Sequence, residues 1–331
     1  MRIIGTLMVR DEVDIVAAMV EHHLAQGLDT IIVTDNASVD GTREVLESYA
    51  ETGLVELHHD AEHRKQQRDV VTRMARRART RFRADWVLNL DADEFLVPRD
   101  RSLTVRDALE ATPLHLNAFT VPVVNLIGPA GWSGSGLSRL VWRDQRSDEQ
   151  LHAIGLHAQP TPNAVHRGES DIVVQQGNHF TSMSSNGQPD PAVSLEVLHL
   201  PWRSWTQFER KVVNAGRGYE ASPDLKPSPN HHGMADYRRW KDGTLEDSYL
   251  ARSPQPHELL AGQEAGQFRH DPWLHEHLRA LRPAALRPEH LEEVLDSDLE
   301  SPVPPQLPDS PLRRHLELER ASRRPSGERT A

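Results

Sequence analysis

Trp86-Val87-Leu88-Asn89-Leu90-Asp91-Ala92-Asp93-Glu94-Phe95-Leu96 is the stretch on which the reading of the fold turns. Its first five residues, apolar but for Asn89, read as a buried strand, and two carboxylates separated by one residue follow at once. Hard divalent cations such as Mn2+ and Mg2+ take oxygen ligands, few from protein and several from water or phosphate. Asp91 and Asp93 on a tight turn suit that demand. The stretch therefore predicts an ion that bridges a diphosphate and neutralises charge building on a leaving group.

The residues before it repeat one pattern. Ile3 to Val9 reads as a short buried strand, followed by the loop Arg10-Asp11-Glu12. From Asp14 to Gln26, Ile15, Ala18, Met19 and Ala25 share a helical face with His22, and Gly27 closes that helix. Thr30 to Thr34 is β-branched throughout and predicts a second buried strand. Asp35-Asn36-Ala37-Ser38-Val39-Asp40-Gly41 supplies turn and cap residues before a helix near Arg43 to Tyr49. Leu54 to Leu57 is a third strand, and Lys65 to Arg81 is a strongly basic helix opened by Gln66 and Gln67. Strands alternating with helices at this spacing imply a mostly parallel, doubly wound α/β sheet. Ligands of such sheets bind beyond the carboxyl ends of the strands, where the three acidic loops are expected to meet.

Farther along, Thr104 to Asp107 looks like a capping box, and Phe119 to Leu126 like another strand. Gly128 to Gly136 forms a glycine-rich loop, Ile172 to Val174 and Val197 to Leu200 are further strand candidates, and Ser204 to Gly218 is a helix. Residues 1–220 are expected to form the main domain, with a nucleotide-binding half over 1–100 and an acceptor-side half over 101–220. A helical or irregular extension follows over 221–300. The Pro- and Ser-rich residues 301–331 are expected to be a disordered tail.

Composition narrows the function. Of 331 residues, 37% are hydrophobic and 26% charged, which supports a folded core. The net charge of −11 argues against broad binding to nucleic acid. Without cysteine there are no disulfides, thiolate metal sites or thiol nucleophiles, and a cytoplasmic location is the expectation. No run of about 18 apolar residues predicts a spanning helix, though peripheral membrane contact is compatible with the sequence. Neither G-x-G-x-x-G nor G-x-x-x-x-G-K-[ST] follows the first strand, which counts against dinucleotide and P-loop folds. Carboxylates and a metal without a glycine cradle point to nucleotide-sugars.

Met8-Val9-Arg10-Asp11-Glu12, the Asp35 to Thr42 stretch and Trp86 to Leu96 together resemble glycosyltransferases of the family 2 type with the GT-A fold, in the family 2-like or family 92-like branch. His199-Leu200-Pro201-Trp202-Arg203-Ser204, with Gln207-Phe208 and Lys211-Val212, resembles the same branch. The resemblance implies transfer of a sugar from a nucleotide-diphosphate donor to an acceptor hydroxyl, with Mn2+ or Mg2+. It places Asp11, Glu12 and Asp35 near the nucleoside, Asp91 and Asp93 on the metal, and His199 as a further ligand. The full donor-binding expectation is Asp11, Glu12, Asp35, Asn36, Ser38, Asp40, Gln67, Asp91 and Ala92. If displacement inverts the anomeric centre, a base must take the acceptor proton. Glu169, Asp171, Glu196 and His179 are the candidates, Glu169 and Asp171 slightly ahead. The acceptor is expected to be a glycan, a lipid-linked molecule or a small molecule. A nucleotidyltransferase on a similar scaffold and a non-catalytic nucleotide-sugar-binding protein are the alternatives.

Overall fold

The computed structural model describes residues 1–62, 66–222, 232–298 and 309–323. Its elements in chain order are β1 (Ile3–Val9), α1 (Val16–Ala25), β2 (Thr30–Asp35), α2 (Thr42–Ala50), β3 (Val55–His59), α3 (Gln67–Phe82), β4 (Trp86–Leu90), β5 (Glu94–Pro98), α4 (Val105–Ala111), β6 (Ala118–Val121) and β7 (Val123–Ile127). There follow β8 (Trp142–Asp144), α5 (Asp148–Ala153), β9 (Asn163–Arg167), β10 (Leu195–His199), α6 (Trp205–Glu220), α7 (His232–Lys241), α8 (Leu245–Leu250) and α9 (Pro256–Glu264). The last elements are β11 (Phe268–His270), α10 (Trp273–Leu281), α11 (Pro288–Asp296) and α12 (Pro311–Arg323). Lys65 and Arg64, expected at the start of the basic helix, and His231 lie outside the described residues.

The chain divides into two compact units that interleave along the sequence instead of parting near residue 220. One comprises Met1–Asn125, Pro160–His199 and Glu276–Val294; the other comprises Leu126–Gln159, Leu200–His275 and Leu295–Ala331. In the first, six strands run in the order β3-β2-β1-β4-β9-β6. β1 pairs in parallel with β2 and β4, and β2 with β3, whereas β9 is antiparallel to both β4 and β6. The parallel core follows from the helical crossovers between successive strands. Beside it, β5 pairs antiparallel with β10, and β10 in parallel with β7.

The register gathers the site. Val9, Asp35 and His59 are aligned neighbours at one rim. Leu90 lies level with Leu7, so Asp91 emerges at that same rim. β9 begins there too, because Leu88 faces Val165 and the strand runs the opposite way.

Helix α1 departs from the expected one-faced pattern, since every residue from Val16 to His23 is buried while Ala25 is exposed. His22 and His23 explain why a wholly buried helix carries imidazoles. His22 Nε2 donates to the Leu96 carbonyl (2.9 Å), and the Leu96 N–H donates to His23 Nε2 (3.2 Å). The two rings thereby satisfy the peptide groups of β5 at Leu96 with side chains. The expected strand 119–126 is split in two at Pro122, which lacks the N–H a continuous ladder needs. The capping box at Thr104 forms with Asp107, and Ile172 to Val174 contributes only a single bridge, Val174 to Thr181.

In the second unit, Arg139 and Asp298 form a buried ion pair (3.2 Å), and Asp298 also accepts from the backbone of Gly136 and Ser138. That carboxylate holds the glycine-rich loop. Arg203 is fully buried, and its carbonyl accepts from Arg139 Nη2 (2.8 Å). The expected disordered tail differs over 311–323: these residues form α12, whose Leu312 and Leu316 are buried with Trp205, Phe208 and Tyr249. Two leucines four apart on one helical face find an apolar partner, which the surrounding proline and serine content concealed.

Candidate functional site

Asp91-Ala92-Asp93 occupies the turn between β4 and β5, closed by a hydrogen bond from the Glu94 N–H to the Asp91 carbonyl (3.1 Å). Asp93 is buried and lies 3.5 Å from His199 Nε2, at the end of β10. His199 Nδ1 bonds the side-chain oxygen of Asn125 (2.9 Å), its neighbour across the parallel pairing with β7. The three residues expected to serve an ion, Asp91, Asp93 and His199, thus belong to one rim.

Asp91 Oδ1 accepts from Gln67 Nε2 (3.2 Å) and from Asn178 Nδ2 (3.1 Å). Gln67, the first residue of α3, also accepts from the Gln176 side chain and the Gly177 N–H. It therefore ties the turn to the 176–178 segment. Asn178 has φ of 63° and is 1% exposed. Its Nδ2 points to a carboxylate oxygen, which can only accept, so its Oδ1 is directed elsewhere and has no hydrogen-bond partner. Asn tolerates the left-handed backbone that few residues adopt.

A second relay stands close by. Asn163 Nδ2 donates to Glu94 Oε2 (2.6 Å), and Asn163 Oδ1 bonds His179 Nδ1 (3.0 Å). Burial lowers the His179 pKa from its ordinary 6.5; the Pro162 carbonyl opposes that shift and His199 adds to it. At neutral pH this ring is the uncharged imidazole.

The loops after β1 and β2 are laced together. The Asp11 N–H donates to Ser38 Oγ (3.0 Å), and Asp11 Oδ1 accepts from the Val39 N–H (2.8 Å). Asp40 accepts from Val13 N–H and from both Thr42 donors, and Asn36 donates to the carbonyls of Asp60 and Glu62. Asp11, Asn36, Ser38 and Asp40, all expected at the nucleoside, have these loop-fastening bonds. Asp35 is buried, with Oδ1 accepting from the Ser38 N–H (3.3 Å) and Oδ2 3.7 Å from His59 Nδ1. Glu12 is half-buried, and its backbone N–H donates to Thr42 Oγ1 (2.8 Å). Ala92 is buried within the turn.

Glu169 and Asp171 are not at this rim. The Gly168 N–H donates to the Asp85 carbonyl, at the opposite end of β4. At about 3.3 Å per residue, that end is roughly 20 Å from Asp91. The Asp171 carbonyl accepts from Arg76, some two and a half turns along α3 from Gln67. Both carboxylates are exposed. No strand is expected from the sequence over 163–167, where β9 forms; running antiparallel to β4, it carries the chain away from the acidic edge, which the chain regains only near Gln176. Glu196 is likewise engaged elsewhere, accepting from Arg101 Nη2 (2.6 Å). Of the proposed bases, only His179 reaches the rim. Sequence reasoning passed over Asn163, Asn125 and Glu94. A lone asparagine inside an apolar strand, as in Val123-Val124-Asn125-Leu126-Ile127, was the signal open to it.

Among the described residues, no three His, Cys, Asp or Glu side chains form a ready-made metal cluster. The donors present still fit a hard cation. Two carboxylates and one imidazole suit such an ion, which completes its shell from water and phosphate.

Residues 4–118 match the family model of Glycosyltransferase family 92, and the chain is family 92-like over that segment. No curated protein matches. Among solved structures, the chain is similar to Staphylococcus aureus TarS (residues 1–349), with 13% identity, 97% of this chain and 92% of that one covered, and a TM-score of 0.38. It is also similar to glucosyl-3-phosphoglycerate synthase from Mycobacterium tuberculosis, solved with Mn2+, UDP-glucose and phosphoglyceric acid. There the identity is 16%, the coverage 50% and 56%, and the TM-score 0.29.

Proposed function

We propose that this protein moves a sugar from a nucleotide-diphosphate-sugar donor to an acceptor hydroxyl, with Mn2+ or Mg2+ and with inversion at the anomeric carbon. The observation that carries the reading is the Asp91-Ala92-Asp93 turn at the carboxyl rim of a parallel sheet, paired with His199, inside the segment that matches a glycosyltransferase family. Asp91, Asp93 and His199 would hold the ion, with Asn178 beside them. When bound, the ion would offset the charge that develops on the departing diphosphate. Asp35 and Glu12, at the ends of the neighbouring strands, face the nucleoside side.

His179 is the base in this reading. Its Nε2 takes the proton of the acceptor hydroxyl as that oxygen attacks the anomeric carbon. The bond from that carbon to the diphosphate oxygen breaks, and the nucleoside diphosphate leaves with the electron pair. A glycan, a lipid-linked molecule or a small metabolite would serve as acceptor, in the cytoplasm. Among the described residues no helix is long and apolar enough to cross a membrane.

Calorimetry with a panel of nucleotide-diphosphate sugars, with and without Mn2+, tests the assignment on wild type and Asp93→Ala. Donor binding strengthened by Mn2+ and lost in the variant is expected. Donor affinity indifferent to both metal and substitution would refute it.

A further inference from the structure

Three residues from distant parts of the sequence form a line in the first unit: Glu94 at the start of β5, Asn163 at the start of β9, and His179 beyond it. The Asn163 amide decides its own orientation, because its nitrogen must donate to the Glu94 carboxylate (2.6 Å). Its oxygen therefore faces His179 Nδ1 at 3.0 Å and can only accept. The hydrogen of the neutral imidazole then sits on Nδ1, and the lone pair sits on Nε2. Asn163 and Glu94 are both buried, so neither orientation is averaged by water.

We infer that Asn163 and Glu94 are positioning residues that hold His179 as its Nδ1–H tautomer, so that Nε2 is the basic atom presented to the acceptor hydroxyl. The inference rests on His179 serving as base. It extends that reading by assigning the group that makes the ring a base at one particular nitrogen. As Nε2 takes the hydroxyl proton, the ring becomes an imidazolium whose Nδ1–H still points to the Asn163 oxygen. The Asn163 dipole links that new charge to Glu94. A base oriented by a third group through a fixed hydrogen bond recurs wherever a histidine must be the correct tautomer.

The test reads the free protein first. Nitrogen-15 NMR of histidine-labelled protein, with the signal assigned through His179→Gln, should show Nδ1 protonated and Nε2 bare at neutral pH. In Asn163→Ala the His179 signal should shift toward the Nε2–H form, and kcat should fall at least 10-fold with donor KM changed less than 2-fold. Glu94→Gln keeps an acceptor for the Asn163 amide, so the tautomer should persist while kcat falls. It also serves if Asn163→Ala fails to fold. A wild-type His179 in the Nε2–H form, or a tautomer unmoved by Asn163→Ala, overturns the inference. The tautomer belongs to the unliganded protein, so its failure is read apart from any failure of sugar transfer.

Discussion

Acid should loosen the central sheet through His166, and the size of the effect follows from its surroundings. The ring is fully buried on β9. Thr6 Oγ1 donates to Asn89 Oδ1 (2.8 Å), which turns the Asn89 amide nitrogen toward His166 Nε2 (3.2 Å). His166 Nδ1 donates to the Arg167 carbonyl (2.8 Å). Each polar atom of the neutral ring is satisfied, and a proton on Nε2 would face the Asn89 donor head on. Burial accordingly lowers the His166 pKa from 6.5 to about 4. The unfolded chain binds the proton first, so this contribution is complete above about pH 6.5 and is lost as the pH falls toward 4. Between pH 7 and pH 5, linkage gives a loss of about 2 kcal/mol from this one residue. Urea unfolding at a series of pH values, on wild type and His166→Gln, measures it. The variant starts less stable at pH 7, but its stability should fall by about 2 kcal/mol less than that of wild type over the interval. Equal pH dependence in the two proteins would refute the reasoning. His23, also lowered to about 4 by burial, should add a comparable slope of its own.

Other expectations concern the site and the turns. Gln67→Ala removes the link between Asp91 and the 176–178 segment and should weaken Mn2+-dependent donor binding by about 1 kcal/mol, read by calorimetry. Glu169→Gln and Asp171→Asn, both remote from the rim, should leave turnover within about twofold of wild type, a change under 0.5 kcal/mol. Loss of activity in either would restore them as bases. At Gly168 an added Cβ would come within 2.2 Å of the Ala84 carbonyl, so Gly168→Ala should destabilise by about 2 kcal/mol or more in thermal unfolding. Asp298→Ala leaves Arg139 buried and unpaired and should cost about 3–5 kcal/mol by urea denaturation.

The local signals along the chain were enough for the alternating elements of the first hundred residues. β-Branched runs, a glycine at φ 96° after α1 and the Thr104 capping box each act over a few residues. The Asp91-Ala92-Asp93 turn was legible for the same reason, being a strand end with its chemistry attached. Which way a later strand runs is a different kind of information. β9, which no local pattern announced, runs antiparallel to β4, so it brings Asn163 to the rim and carries Glu169 and Asp171 to the far end. The Glu94–Asn163–His179 line and the double grip of Gln67 and Asn178 on Asp91 join residues 16 to 87 positions apart. No periodicity encodes such contacts; they exist only once strand order and register have brought distant side chains within hydrogen-bonding reach.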